Sequence, residues 1–350
     1  MIMSKPPRSI AAPRVLQIHV TRRCNLRCLH CYSSSGPEFR DALPEGLVCD
    51  AITDAAALGY GMLAVSGGEP MLYRPLAQIL GHARRQGLAT AITTNGMLLD
   101  QRRLEPLRGI LSFIAVSLDG PPEAHDRMRA RPGAFAAMIE RLTALRGSGI
   151  PFGFLFTLTQ ASARHLDWAV DFAAAQGAAA LQIHPLSEVG RAAGHGDAAA
   201  PPELATPDIG LAVQAARCAV AARDRHAGRL RVVVDYMPWL QVPSGAAAAP
   251  GASLADLVSP LVIETDGTVV PLAHGFARGH AIGTLGSAAL SAMADRWISS
   301  GGAGRFQALL RRVAGQASAP GAPPLLSWAD EVRRTAAAVH QAPSLAWNAA

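Results

Sequence analysis

Lysine is almost missing from this 350-residue chain. Lys5 is the only one, so the net charge of +6 rests on arginine. Aromatic residues make up only 5% and charged residues 17%, while half of the chain is hydrophobic. No arginine cluster is interleaved with aromatic rings, which removes the usual footprint of a nucleic-acid binder. Alanine, arginine, glycine and proline are inflated together, so the basic balance reads as composition rather than as a surface for anionic partners. No apolar run reaches the length that spans a bilayer, and "MIMSKPPRSIAAPRV" lacks the apolar core of a signal peptide. The expectation is a cytoplasmic globular protein without membrane or nucleic-acid partners, where thiols stay reduced.

Cysteine is scarce too, and its placement is uneven. Three of the five, Cys24, Cys28 and Cys31, fall in "CNLRCLHC"; Cys49 and Cys218 stand apart, and none follows Cys218. Three thiols are too many for one disulfide and one too few for a closed tetrahedral zinc site. A C-x3-C-x2-C loop can hold three irons of a 4Fe–4S cluster and leave the fourth open. Zinc would need a fourth protein ligand, for which His19 and His30 are the nearby candidates. On the trio alone both readings stand.

Short apolar runs alternate with helical patterns through the first half of the chain. The runs are "VLQIHV" (15–20), "MLAVS" (62–66), "LATAITT" (88–94), "LSFIAVS" (111–117), "FGFLFTLT" (152–159) and "ALQIHPL" (180–186). Between them lie stretches such as "PEGLVCDAITDAAAL", where Leu47, Ile52 and Leu58 recur at near-helical spacing. Strand and helix repeated six times predict parallel pairing with right-handed crossovers. The predicted class is α/β: a partial (β/α)6 TIM-like barrel with chemistry at the strand C-terminal ends, followed by a smaller α+β extension. We divide the chain into an N-terminal segment (1–14), the barrel (15–228), the extension (229–300) and a helical tail (301–350). "GRAAGHGDAAAPPELATP" reads as a loop and "VPSGAAAAPGAS" as a flexible insertion. Asp266-Gly267 between β-branched runs predicts a hairpin.

The ordered set of motifs around the trio resembles the radical S-adenosylmethionine (radical SAM) family, whose C-x3-C-x-φ-C signature is matched by "CNLRCLHC" with His30 at φ. The resemblance covers residues 15–190. It implies that Cys24, Cys28 and Cys31 ligate one 4Fe–4S cluster and that S-adenosylmethionine occupies the open iron. "SGGEP" (66–70) then supplies Gly67, Gly68 and Glu69 to the amino group of the methionine portion. "TTNG" offers Thr94 and Asn95, and "VSLDG" offers Ser117 and Asp119, to a ribose or carboxylate. "HDRMRARPGAF" carries the arginine for the methionine carboxylate, Arg129, with Arg131 as substitute. "LQIHPLSEVGRA" borders adenine and substrate, with Ile183 as the contact. Taken singly, these glycines and Asn-Gly or Asp-Gly pairs are ordinary turns. The implied chemistry is reductive cleavage to a 5′-deoxyadenosyl radical that abstracts hydrogen from substrate, fed by a reductant such as flavodoxin or ferredoxin.

The C-terminal part resembles an eroded SPASM extension. "TDGTVVPLAHGFARGHAIGTLGSAALSAMADRW" keeps Asp266, Gly267, Pro271, Gly283 and Trp297, but Leu272 stands where a cysteine is expected. No auxiliary cluster can be built there from thiolates, and His274 with His280 make a poor replacement. Cys49 and Cys218 lie in apolar helical patterns as small buried hydrophobes, with hydrogen donation to a substrate radical as the functional alternative. For the substrate, the extension suggests a peptide or small protein undergoing maturation. About fourteen residues precede the first strand, too few for a leader-binding domain, so a separate protein would bind the leader. A tetrapyrrole or other small anionic metabolite is the alternative, since "TRRCNLRCLHCY" is similar to haem-maturation relatives. A non-catalytic iron–sulfur or zinc protein is the third reading. The assembly expected is a monomer or weak dimer.

Overall fold

The computed structural model describes residues 13–193, 201, 203–226, 228–238 and 251–341. Most of the N-terminal segment, most of the "VPSGAAAAPGAS" insertion, part of the "GRAAGHGDAAAPPELATP" loop and the end of the helical tail therefore lie outside the described residues. Among the described residues no helix is long and apolar enough to cross a membrane.

The six expected strands form close to where periodicity put them: β1 (Val15–Thr21), β2 (Met62–Gly67), β3 (Ala89–Thr94), β4 (Phe113–Leu118), β5 (Phe152–Leu158) and β6 (Ala180–Pro185). Helices α1 (Glu45–Ala57), α2 (Leu76–Arg85), α3 (Gln101–Leu104), α4 (Pro122–Met128), α5 (Ala134–Ser148) and α6 (Leu166–Ala175) alternate with them. Each consecutive strand pair is parallel and in sequence order, as helical crossovers require. Along β1, Leu16, Ile18 and Val20 enter the main apolar core, which they share with Val48 and Ile52 of α1. Gln17 and His19 therefore face the opposite side of the sheet, because strand side chains alternate.

Two features differ from the expected six-strand barrel and separate extension. First, α7 (Ile209–His226) leads to β7 (Arg231–Val234), which pairs in parallel with β6 and makes a seventh barrel strand. The division at residue 228 thus falls just before a strand of the same sheet, because the six-fold pattern was cut where its loops lengthen. Second, the hairpin does not stand apart. After β8 (Met237–Pro238) and α8 (Leu254–Leu257), β9 (Leu261–Ile263) pairs in parallel with β1, and β10 (Thr268–Pro271) turns back antiparallel on β9. With β11 (Gly283–Thr284) the sheet has ten strands in the order β11-β10-β9-β1-β2-β3-β4-β5-β6-β7. The extension is a continuation of the barrel sheet beyond β1.

Helices α9 (Leu290–Ser299) and α10 (Gly302–Ala317) pack beside the hairpin, and β12 (Leu325–Leu326) pairs with β8 ahead of α11 (Trp328–Gln341). Trp297 of α9 is buried and tilted against Phe306 of α10, with ring centroids 6.2 Å apart. A buried bond staples the two halves together: the Tyr60 hydroxyl before β2 donates to the Val258 carbonyl at 2.8 Å. Removing the donor leaves a buried acceptor unpaired, at a cost of about 1–3 kcal/mol. Tyr60→Phe should therefore lower the urea midpoint without changing the slope of the transition, and an unchanged midpoint would show the staple to be dispensable.

Candidate active site

The cysteine loop begins where β1 ends and has almost no secondary structure of its own, so its conformation is set by bonds to other strand ends. Cys24 N–H donates to the Gly36 carbonyl at 3.1 Å and Gly36 N–H to the Arg22 carbonyl at 3.1 Å, closing the loop on itself. The loop after β2 then lies directly against it. Gly68 N–H donates to the Thr21 carbonyl at 2.6 Å and Glu69 N–H to the Arg23 carbonyl at 2.9 Å. A Cβ on Gly68 would sit 2.3 Å from the Arg23 carbonyl oxygen, so only glycine permits the approach. Gly67 has φ +111° and a Cβ there would meet the Thr21 carbonyl at 2.7 Å. The missing side chains of both glycines let the loop after β2 press against the end of β1.

Glu69 is wholly buried. Its carboxylate accepts from Thr94 Oγ1 at 2.7 Å, Asn95 N–H at 2.9 Å and Met71 N–H at 3.1 Å. Burial raises its pKa, and these three donors act in the opposite direction. Thr94 and Asn95 are thereby fixed by Glu69, and Asn95 Nδ2 reaches on to Asn25 Oδ1 at 2.8 Å inside the cysteine loop. "SGGEP", "TTNG" and "CNLRC" are one hydrogen-bonded unit.

From β4, Asp119 is also fully buried and stands 2.6 Å from Arg129 Nε, an ion pair lying off the hydrogen-bond axis. His30 Nε2 lies 3.4 Å from its other oxygen. Burial would raise the Asp119 pKa, but the Arg129 guanidinium and His30 overcome it and hold the carboxyl well below the usual range. Arg129 Nη1 donates toward Cys28 Sγ at 3.7 Å, and Leu29 N–H donates to the Met128 carbonyl at 2.9 Å. Arg131 also touches the loop, at the Asn25 carbonyl. Ser117 is half-buried on β4, in register with Leu155 of β5. Ile183 enters the helix-side core, so its neighbours Gln182 and His184 are the residues of β6 that face the other side.

Sequence reasoning missed two features. Arg191, just beyond β6, donates from Nε to the Cys28 carbonyl at 2.8 Å and from Nη1 to the Ser35 carbonyl at 2.9 Å. Its signal, "GRA", was visible but carried no geometry. The other is the pairing of His19 with His274: their rings stack with centroids 4.8 Å apart and Tyr32 meets both edge-on. Burial and His274 keep the His19 pKa well below its ordinary value. Gln17 Nε2 lies 3.1 Å from His19 Nε2, so the neutral ring accepts there. His280 sits elsewhere, edge-on to Phe276. Cys49 on α1 and Cys218 on α7 are half-buried in the helix layer, the latter 3.6 Å from Asp167, and neither joins the trio.

The three loop cysteines are free thiols packed around Leu26, Met97 and Ala134. Burial, then Glu69, then the neighbouring cysteines push the Cys24 thiol up to about 12. Among the described residues no group of three or more His, Cys, Asp or Glu converges as a metal cage. The donor set nevertheless fits an iron–sulfur cluster: three thiols in one loop, partly screened from water, whose charges repel when ionised and so call for a compensating cation. Arg191 Nη2 and His30 Nδ1, on residues that touch this loop or belong to it, are buried without hydrogen-bond partners among the described residues, and such donors suit sulfide acceptors.

With that geometry in place, the family comparison bears on it directly: residues 18–173 match the model of the Radical SAM superfamily. That span runs from within β1 to within α6. The chain is 36% identical over 150 residues to the Fe-coproporphyrin III synthase of Methanosarcina barkeri, covering 42% of this chain but only 38% of that protein, well under two thirds of its length. It is 29% identical over 272 residues to the PqqA peptide cyclase of Ruegeria pomeroyi, covering 76% of this chain and 69% of the cyclase. In fold the chain is similar to native anSMEcpe solved with AdoMet and the Kp18Cys peptide, with TM-score 0.62 at 15% identity over 93% of this chain and 96% of that one.

The Asp119–Arg129 pair yields a measurable consequence. Replacing a buried carboxylate strands its cationic partner, at about 3–5 kcal/mol. Asp119→Asn should lose about that much stability in urea. Because the folded pKa of Asp119 is depressed, the wild type holds this advantage above the unfolded pKa of about 4 and loses it only as pH falls lower. The gap between wild type and variant should be flat from neutral pH to about pH 4 and narrow below; a gap that opens on acidification would contradict the pairing.

Proposed function

We propose that the chain is a radical SAM enzyme whose Cys24, Cys28 and Cys31 hold three irons of a single 4Fe–4S cluster, with S-adenosylmethionine at the fourth. The observation that carries the reading is the joining of the cysteine loop to the loops after β2, β3, β4 and β6 in one buried unit, together with the match of residues 18–173 to the Radical SAM superfamily model. When bound, the cluster supplies the electron that cleaves S-adenosylmethionine to methionine and a 5′-deoxyadenosyl radical.

The protein's own part is placement. Glu69 spends both carboxylate oxygens on Thr94, Asn95 and Met71, so it shapes the Gly67–Gly68 backbone that would meet the ammonium rather than meeting it alone. Arg129, neutralised in part by Asp119 and directed at Cys28 through Nη1, would bring its guanidinium to the methionine carboxylate beside that cysteine, with Arg131 at the same loop. His30 and Ser117 complete the surroundings of the nucleoside, and Ile183 acts by anchoring the strand that carries Gln182 and His184.

For the substrate we favour a peptide or small protein undergoing maturation, assisted by a flavodoxin or ferredoxin and a separate leader-binding protein. Support comes from the longer alignment with a peptide cyclase, over 76% of this chain, and from the shared fold with anSMEcpe over 93% of it. The higher identity to a Fe-coproporphyrin III synthase, confined to a shorter span, supports a second reading in which the substrate is a tetrapyrrole.

Anaerobically reconstituted protein, reduced with dithionite, should release 5′-deoxyadenosine from S-adenosylmethionine. Alanine at Cys24, Cys28 or Cys31 should abolish that release and the broad visible absorption of the cluster together. Zinc in place of iron, or a Cys28→Ala protein that cleaves at wild-type rate, would refute the reading. Coproporphyrin that perturbs neither the haem-region spectrum nor the cleavage rate would remove the second substrate class.

A further inference from the structure

The segment just past β6, Gly190–Ala193, is bonded to the cysteine loop at three carbonyls through a single residue, although roughly 160 residues separate them. Arg191 N–H donates to the Cys31 carbonyl at 3.0 Å, and its guanidinium takes the carbonyls of Cys28 and Ser35 at 2.8 and 2.9 Å. Gly190 presses closer still: with φ +62°, a Cβ there would meet the Tyr32 carbonyl at 2.3 Å and that of Cys31 at 2.4 Å. The next residue, Ala192, is buried with Met128, Leu186 and Leu204. Met128 in turn accepts from Leu29 N–H through its carbonyl at 2.9 Å. The strap is therefore anchored on its far side to the same residue that pins the loop from the β4 side.

The geometry points to Arg191 as a positioning residue that holds the cysteine loop ready to receive its cluster, with Gly190 as the close approach that makes the reach possible. A loop of this length with few bonds of its own has many conformations to lose when three of its side chains must meet one guest. Three bonds from one residue to the carbonyls of Cys28, Cys31 and Ser35 remove most of that freedom in advance. A planar guanidinium can span two carbonyls in a fixed fork, whereas an ammonium on a flexible stem cannot hold both in the same way. Arg191 acts through the backbone of the ligands and touches no reacting atom. The inference rests on the radical SAM reading of the trio but makes a claim about the metal-free chain as well.

The test uses full-length protein in two states. In the metal-free state, alkylation by iodoacetamide is followed at each cysteine by mass spectrometry, with Cys49 and Cys218 as internal controls. Arg191→Met should speed modification of Cys28 and Cys31 about fivefold or more while the two controls keep their wild-type rates. In the reconstituted state, the same variant should lose iron to a ferrous chelator about tenfold faster, and Arg191→Lys should fall between the two. Wild-type alkylation and iron-loss rates in Arg191→Met would overturn the proposal. Should the controls also accelerate, Arg191→Lys decides: wild-type rates at Cys28 and Cys31 in that variant overturn the proposal, and selective acceleration there supports it. Wild-type protein that takes up no iron would defeat the cluster reading itself, while the alkylation rates would still report on the strap.

Discussion

A wholly buried carboxylate, met by three donors from the protein itself, organises the centre of this molecule. Glu69 has three donors to satisfy it, and those donors come from its own loop and from the end of β3. A buried acceptor of this kind is tolerable only when fully bonded, so the ends of β2 and β3 are held at one separation. Asn95 then passes the constraint to Asn25, and the cysteine loop inherits a position it could not specify alone. Gly68 makes the same demand sterically, by bringing the β2 loop against the Arg23 carbonyl. The loops behave as one unit because each supplies the partner that another lacks.

The repeating layers were legible in the sequence, because alternation of apolar residues at period two and near 3.6 is a local property. The six barrel strands and the Asp266-Gly267 hairpin appear within a residue or two of where periodicity put them. What the hairpin pairs with was not legible: no pattern in "PLVIETDGTVV" says that Leu261 will lie opposite Leu16. The seventh strand was missed as a barrel member for a related reason, since the long connection through α7 hides the repeat.

At the site, residue types were legible and their partners were not. Cys24, Cys28 and Cys31 announce themselves by spacing, and Glu69, Asn95 and Asp119 by their turns. The pairing of Asp119 with Arg129, the capture of Glu69 by Thr94 and the reach of Arg191 to Cys28 span from 10 to 163 residues of chain. Such contacts depend on how strand ends cluster, a tertiary fact. His19 stood in the sequence only as a candidate zinc ligand; its stack on His274 shows that the barrel wall and the segment after the hairpin meet through two imidazoles.

The pairing of β1 has a bearing on how the protein is made. One of its two neighbours, β2, is translated within some tens of residues, whereas the other, β9, is translated only after β7. Contacts of such sequence separation form late and slowly. The strand that leads into the cysteine loop must therefore wait, one edge bare, through most of synthesis. Until β9 arrives, that edge is an open template for other strands, so the late hairpin guards against mispairing as well as completing the sheet.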